Sequence, residues 1–283
     1  MKIIKTVNEL TEFVGHTLER GESIGLVPTM GALHDGHLSL IDQAVKENDV
    51  VIVSVFVNPT QFNNPNDLAT YPRKEEDDFR LIARCGAAVA FAPEVSEIYP
   101  DGLESDKVFE LGTAAEVMEG KFRPGHFQGV AQIVSRLFQL CRPKRAYFGE
   151  KDFQQIAVIR NMVLSEKMDV EIVACPIKRA EDGLALSSRN QLLTAEQRAV
   201  APEIHRALAD SVAYSKEHSV RATHDTVVER INAVPFMNVE YFEIVDGRTL
   251  LPVEEWEESP YIVGCITVYC GDVRLIDNIC YRK

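Results

Sequence analysis

One run of eight residues, Val50 to Val57, constrains the fold of this 283-residue chain more than any other feature. The run is almost continuously apolar and β-branched, which predicts a strand buried on both faces. A shorter apolar run, Ile24 to Val27, precedes it, and the segment between them, Gly36 to Glu47, has apolar residues at helical spacing. Together the three segments predict one βαβ unit.

The alternation of strands and helices continues to about residue 176. In chain order, the pattern predicts a helix over 75–85, a strand over 87–92, a helix over 129–141, a strand over 145–148, a helix over 153–167 and a strand over 170–174. Such alternation is typical of a parallel sheet with helices on both faces. We therefore predict an α/β fold in which residues 1–176 form a doubly wound parallel sheet.

Beyond residue 176 the pattern changes. A capping box at Thr194 and Gln197 predicts a long helix that ends at about Lys216, and a second helix is predicted over 223–234. Three strands then follow without helices between them, over 239–245, 261–269 and 273–279. We expect residues 177–283 to form a smaller α+β domain.

Composition excludes several classes of partner. The net charge of −13 repels a phosphate backbone, so we expect no nucleic acid partner. No apolar run approaches the ~20 residues of a membrane helix, and the N-terminus does not resemble a signal peptide. The six cysteines form no C-x-x-C pair and suit reduced core positions. These features favour a cytoplasmic protein.

The segment Pro28 to His37 (PTMGALHDGH) carries the strongest chemical signal, because it lies where the first predicted strand ends and a helix begins. Unpaired backbone N–H groups at a helix start attract phosphate, and Gly31 and Gly36 allow a ligand to approach the backbone. From one turn, His34 and His37 can both donate hydrogen bonds to the oxygens of a phosphorus centre as charge builds there. The alternatives are two surface histidines or a metal-binding pair. The chain has neither a P-loop nor a G-x-G-x-x-G motif.

A second strand-to-helix junction lies in Phe148 to Gln155 (FGEKDFQQ). Here Lys151 offers a point charge for phosphate, and Asp152 suits the start of a helix. The alternative is a solvated charged loop.

The segment Asp182 to Asn190 (DGLALSSRN) contains Ser187, Ser188 and Arg189, which together form a compact oxyanion binder. The alternative is a turn that caps a helix. Because the segment follows the expected domain boundary, it can close over a ligand held by the first domain.

Three other segments carry polar groups. Gln61 follows the second strand and can donate to a carboxylate or accept from an alcohol or amine. Asp77 and Asp78 belong to an acidic cluster that either starts a helix or, near a nucleotide, holds Mg²⁺ directly or through water. The loop Arg123 to His126 carries no ligand assignment.

In this order and over nearly the whole chain, the motifs resemble those of the pantothenate synthetase family. They are PTMG-x-LH-x-GH at 28–37, NP-x-QF at 58–62, YPR at 71–73, RPGHF at 123–127, FGEKD-x-QQ at 148–155, DGLA-x-SSRN at 182–190 and LIDN at 275–278. The resemblance implies a Rossmann-like first domain, a smaller C-terminal lid domain and a homodimer.

The resemblance also implies the site residues. The residues that it assigns to catalysis are His34, His37, Lys151 and Arg189. Pantoate is expected at Gln61 and Gln155, β-alanine at Gln61, and Mg²⁺ near Asp77 and Asp78. The implied ATP-binding residues are Met30, Gly31, Ala32, Leu33, His34, Asp35, Gly36, His37, Gly149, Glu150, Lys151, Asp152, Lys178, Leu186, Ser187, Ser188 and Arg189.

The implied reaction is an ATP-dependent condensation of pantoate with β-alanine through an acyl adenylate, releasing pyrophosphate and AMP. One rival is a plain adenylyltransferase that leaves AMP on its product. The other is a nucleotide-binding regulatory or tRNA-binding module, against which the acidic charge argues.

Overall fold

The computed structural model describes residues 1–103 and 107–283. Its larger sheet has six strands, all parallel: β1 (Lys2–Ile4), β2 (Ile24–Thr29), β3 (Val50–Val55), β4 (Val89–Phe91), β5 (Arg145–Gly149) and β6 (Glu171–Cys175). Their order across the sheet is β1-β4-β3-β2-β5-β6. The associated helices are α1 (Val7–Glu19), α2 (Asp35–Glu47), α3 (Pro65–Thr70), α4 (Glu75–Arg84), α5 (Val95–Ile98), α6 (Glu119–Phe122), α7 (His126–Cys141) and α8 (Phe153–Ser165).

Helices cover both faces of this sheet. Successive side chains of a strand point to opposite faces, and in β3 they enter two separate cores. Val50 and Ile52 pack in a core that includes residues of α1, α7 and α8, whereas Val51 and Val53 pack in a core that includes residues of α2 and α4. The predicted doubly wound parallel sheet is therefore confirmed.

The strand order reverses between β2 and β5, which are neighbours in the sheet although β3 and β4 lie between them in sequence. In open α/β sheets, ligands bind in the crevice outside the carboxyl ends of the strands at such a switch point. The segment Pro28 to His37 follows β2, and Glu150 to Asp152 follows β5, so the topology brings two of the predicted motifs to this crevice.

The C-terminal region contains α9 (Ala195–Val200), α10 (Glu203–Tyr214), α11 (Val220–Asn232) and an antiparallel sheet of β7 (Met237–Asp246), β8 (Ile262–Cys270) and β9 (Val273–Arg282). The expected α+β arrangement is confirmed. The capping box at Thr194 is also present. The prediction of one long helix is wrong, because the helix stops near Ala201 and restarts after Pro202, a residue that lacks the N–H of a helix interior.

The small sheet contributes to two cores. Phe242 and Ile266 pack with residues of α10 and α11, whereas Tyr241, Val263 and Cys265 join the core that contains α7 and α8. This double packing ties the C-terminal region to the larger sheet, and the domain boundary after residue 176 stays a prediction. Among the described residues, no helix is long and apolar enough to cross a membrane.

Candidate active site

A cavity opens at the crevice between β2 and β5. The structure brings most of the predicted site residues into its lining: Met30, His34, Gly36, His37, Gln61, Gly149, Lys151, Asp152, Gln155, Lys178, Leu186, Ser187, Ser188 and Arg189. Seven predicted residues lie outside this lining: Gly31, Ala32, Leu33, Asp35, Asp77, Asp78 and Glu150. Residues from distant parts of the sequence thus converge on one crevice.

The histidine turn, defined as His34 to His37, is locked by its own backbone. The Nδ1 atom of His34 accepts from the N–H of Gly36 (3.1 Å), and Nδ1 of His37 accepts from the N–H of His34 (3.3 Å). This reciprocal pair caps α2 and holds the two ring centroids 4.1 Å apart. Since each Nδ1 accepts, each ring carries its proton on Nε2, the only nitrogen left to donate to a ligand.

Both rings of the histidine turn are neutral near pH 7. Burial, helped by the nearby Lys151 ammonium, lowers the pKa of His34 to about 4. Burial also lowers the pKa of His37 well below its usual range, with His34 and Lys151 acting in the same direction. Neutral imidazoles cannot serve as strong acids, but their Nε2–H groups are preorganised hydrogen-bond donors.

A buried carboxylate holds the strained turn that precedes the histidines. Ala32 has a positive φ of 49°, and Gly31 one of 79°. The two oxygens of Asp78 accept from the N–H groups of Ala32 (2.9 Å) and Leu33 (2.7 Å), and Asp78 is only 1% exposed. Asp78 therefore shapes the loop between β2 and α2.

The contacts of Asp77 and Asp78 test the prediction that these two carboxylates hold Mg²⁺. Both oxygens of Asp78 are engaged by backbone, and Asp77 pairs on the surface with Arg80 (2.8 Å). In the described part of the chain, no group of three or more His, Cys, Asp or Glu side chains is arranged to hold a metal. These two carboxylates do not fit a direct Mg²⁺ ligand set, and contact through water stays a prediction.

The turn after β5 is braced from the far end of the chain. Lys151 lies with its ammonium 3.4 Å from a carboxylate oxygen of Asp152. The side-chain amide of Asn278, on β9, donates to the carbonyl oxygens of Glu150 (2.7 Å) and Lys151 (3.2 Å). Asn278 appeared in the sequence only as part of the LIDN motif, and the structure gives it this bracing position.

The arginine loop, defined as residues 182–190, depends on side chains from distant elements. Ser188 donates from its hydroxyl to the carbonyl of Ala32 (3.0 Å). Arg179, just before the loop, forms a bidentate pair with Asp277 of β9 (2.6 and 2.9 Å) and also donates to the carbonyl of Gly183. The loop is therefore bonded directly to the segment between β2 and α2, and it is linked to the small sheet through Arg179.

The loop Arg123 to His126 supports the backbone of Gln61 through a hydrogen bond. His126 donates from Nδ1 to the carbonyl of Gln61 (2.8 Å), and its Nε2 accepts from Arg123 (3.2 Å). Burial lowers the pKa of His126 to about 4, with Arg123 adding to the shift. A Cβ on Gly129 would lie 2.3 Å from the carbonyl oxygen of Thr60, so only glycine allows α7 to approach this turn. Beyond the motif itself, no pattern in the sequence indicated this support.

One wall of the cavity is apolar. It consists of α7 residues spaced at i, i+3, i+4 and i+7, namely Val130, Ile133, Val134 and Leu137, together with Phe56. The sequence marked α7 as an apolar helix, but its spacing cannot separate a face that lines a cavity from one that fills a core. The site therefore combines an apolar wall with amides and a cationic, hydrogen-bond-donating edge.

The chain matches proteins of known activity along its full length. A family model described as pantoate-beta-alanine ligase matches residues 2–280. The chain is 56% identical over 282 residues to the pantothenate synthetase of Porphyromonas gingivalis, covering 100% of both chains. It is 54% identical over 283 residues to that of Bacteroides fragilis, again with 100% of both chains covered.

Solved structures agree with these matches. The crystal structure of pantothenate synthetase from Thermus thermophilus has a TM-score of 0.93 and 43% identity, covering 100% of both chains. The pantoate-beta-alanine ligase of Francisella tularensis, solved in complex with beta-gamma ATP and β-alanine, has a TM-score of 0.81 and 36% identity over 99% of this chain and 98% of that chain. Fold, site and sequence agree, and the chain belongs to the pantoate–β-alanine ligase family.

Proposed function

We propose that the protein condenses pantoate with β-alanine, using ATP, through an enzyme-bound pantoyl adenylate formed in the cavity at the β2–β5 crevice. One observation carries this proposal. His34 and His37 are fixed as neutral Nε2–H donors at the start of a helix, with Lys151 beside them. Fixed donors at a helix start suit negative charge that develops on the oxygens of a phosphorus centre.

In the first step, a carboxylate oxygen of pantoate attacks the α-phosphorus of ATP, and the bond to pyrophosphate breaks. His34 and His37 donate hydrogen bonds to the phosphate oxygens in the transition state. The positive charges of Lys151 and Arg189 stabilise the negative charge on the leaving pyrophosphate. The backbone and side chains predicted to hold the nucleotide are those of 30–37, 149–152, 186–189 and Lys178.

In the second step, the amine of β-alanine attacks the acyl carbon of the adenylate and loses a proton. The bond to AMP breaks, and an amide remains. The two methyl groups of pantoate suit the apolar wall of α7, and its hydroxyl and carboxylate groups suit Gln61 and Gln155. Gln61 is 9% exposed and donates to the sulfur of Met30 (3.0 Å), so its amide is already oriented before a substrate arrives.

Residues 177–283 act in this proposal as a lid on a first domain of residues 1–176. The arginine loop reaches the cavity from that second region, and Asn278 contacts the turn that carries Lys151. Closure would exclude water and so protect the adenylate from hydrolysis. The Mg²⁺ ion would enter as part of the nucleotide substrate, since Mg²⁺ is usually bound through phosphates and few protein groups.

The proposal includes a homodimer in the cytoplasm. Exposed apolar side chains support it, since Val108 and Leu164 are both 75% exposed. Phe109 exchanges two hydrogen bonds with the Gln128 side chain, whereas no backbone partner is found for Val108 or Glu110 among the described residues. Sedimentation of the wild type and of Val108→Asp tests whether two copies associate through this part of the surface.

A single-turnover experiment tests the proposed function. Mixing the enzyme with ATP and pantoate should release about one equivalent of pyrophosphate per site, with AMP appearing only after β-alanine is added. A product that retains AMP despite the amine would support the adenylyltransferase alternative. No pyrophosphate and no AMP under any condition would support a binding module and would contradict the proposal.

A further inference from the structure

Arg189 is held by Asp67, a residue outside the cavity lining that no motif in the sequence indicated. Its Nε and Nη2 donate to the two carboxylate oxygens of Asp67 at 3.3 and 2.9 Å. Asp67 lies on the short helix α3, in the segment between β3 and α4. Such a bidentate pair fixes the plane of the guanidinium as well as its position.

Two more contacts join the same segments. The guanidinium carbon of Arg189 lies 5.8 Å from the centre of the Tyr71 ring, and the Lys74 ammonium donates to Gln191 (2.7 Å). The side chains of Asp67 and Arg189 are 29% and 25% exposed, so solvent reaches both groups only in part. The pair thus sits within an ordered contact between the end of the arginine loop and residues 67–74.

The geometry leaves Arg189 able to bind a ligand while it is held. A guanidinium has five N–H groups, and the Asp67 pair uses two of them, one on Nε and one on Nη2. Arg189 lines the cavity that contains the histidine turn and also the adjoining cavity that contains Asp67. Its remaining donors are therefore available at the junction of the two spaces, where Lys151 also lies.

We propose that Asp67 is a positioning residue that orients Arg189 toward the polyphosphate of the nucleotide in the transition state. This inference rests on the proposed function. If Asp67 acted through its charge alone, it would hinder the reaction, because a carboxylate near a triphosphate should weaken nucleotide binding. The two effects have different kinetic signatures, which makes the role of Asp67 measurable.

The experiment uses exchange of labelled pyrophosphate into ATP in the presence of pantoate, which reports adenylation alone. Asp67→Asn keeps the shape of the side chain but removes the second acceptor and the charge. We expect the maximal exchange rate to fall about tenfold or more, the scale on which misplaced catalytic groups act, while the KM for ATP stays within about threefold. Asp225→Asn is the matched control, because Asp225 pairs with Arg221 on an exposed helix face.

A double-mutant cycle shows whether Asp67 acts through Arg189. In an Arg189→Ala background, Asp67→Asn should change the exchange rate by less than about twofold, because the group to be positioned is gone. An equal loss in both backgrounds would overturn the proposal, and so would a lower KM for ATP with unchanged maximal exchange in the single variant. If the wild type itself catalysed no exchange, the proposed function would fail instead, so the two failures are distinguishable.

Discussion

The histidine turn and the arginine loop face the same cavity but are held in different ways. The turn is fixed by two hydrogen bonds within four consecutive residues, His34 to His37. The loop is fixed by Asp67, by the carbonyl of Ala32 and, through Arg179, by Asp277, which are all far away in sequence. The position of the turn therefore depends on local contacts, whereas that of the loop depends on how distant segments pack.

Loss of a donor from the histidine turn should have the largest effect. We expect His37→Ala to lower the adenylation rate by about 10²-fold or more, the cost of losing one preorganised transition-state donor. His16→Ala is the control, because His16 lies on α1 with its side chain 73% exposed. The measurement is single-turnover pyrophosphate release. Near-wild-type turnover by a folded His37→Ala protein would remove His37 from the catalytic residues.

Loosening the arginine loop should have a smaller effect and a different signature. Asp277→Asn replaces one acceptor of the bidentate pair with a donor that opposes Arg179. We expect the KM for ATP to rise about three- to tenfold with a smaller change in kcat, and the free energy of unfolding to fall by about 1–3 kcal/mol. Steady-state kinetics and denaturant unfolding measure the two quantities. A loss confined to kcat, with the KM for ATP unchanged, would contradict this expectation. It would show that the loop acts on the reaction step and not on nucleotide binding.

Acid stability tests a residue that supports the cavity and leaves the reaction itself aside. Burial lowers the pKa of His126 to about 4, whereas histidine in an unfolded chain titrates near ~6.5. Between these values the unfolded state binds more protons, so the free energy of unfolding falls as pH falls through that window. His126→Gln should reduce this slope by up to ~1.4 kcal/mol per pH unit. An unchanged slope in urea unfolding between pH 6.5 and 4 would contradict the buried neutral state of His126.

The difference between local contacts and contacts between distant segments also explains which features could be predicted from the sequence. The β2–α2–β3 unit and the histidine turn were predictable because periodicity, helix starts and ligand crevices are local signals. The break at Pro202 carried such a signal and was missed. The short strand β1 (Lys2–Ile4) precedes every predicted element and is too short to show a period.

Contacts between distant segments were beyond the reach of one sequence. Asp78 was predicted as a metal neighbour, yet its carboxylate accepts from Ala32 and Leu33, which lie more than 40 positions away. Likewise, nothing local indicates that Asn278 meets the turn of Lys151 or that Asp67 meets Arg189. Each of these pairs depends on how helices and sheets pack, so residue type and spacing leave several partners open.

The most direct test of the proposed chemistry follows the oxygen atoms of pantoate. Attack at the α-phosphorus places one carboxylate oxygen on AMP when the amine displaces it, whereas attack at the γ-phosphorus would place it on inorganic phosphate. With pantoate labelled by ¹⁸O in its carboxylate, mass spectrometry should find one label in AMP, none in pyrophosphate, and an amide of β-alanine. Labelled inorganic phosphate with ADP as the coproduct would contradict the adenylate and the roles given to His34, His37 and Lys151.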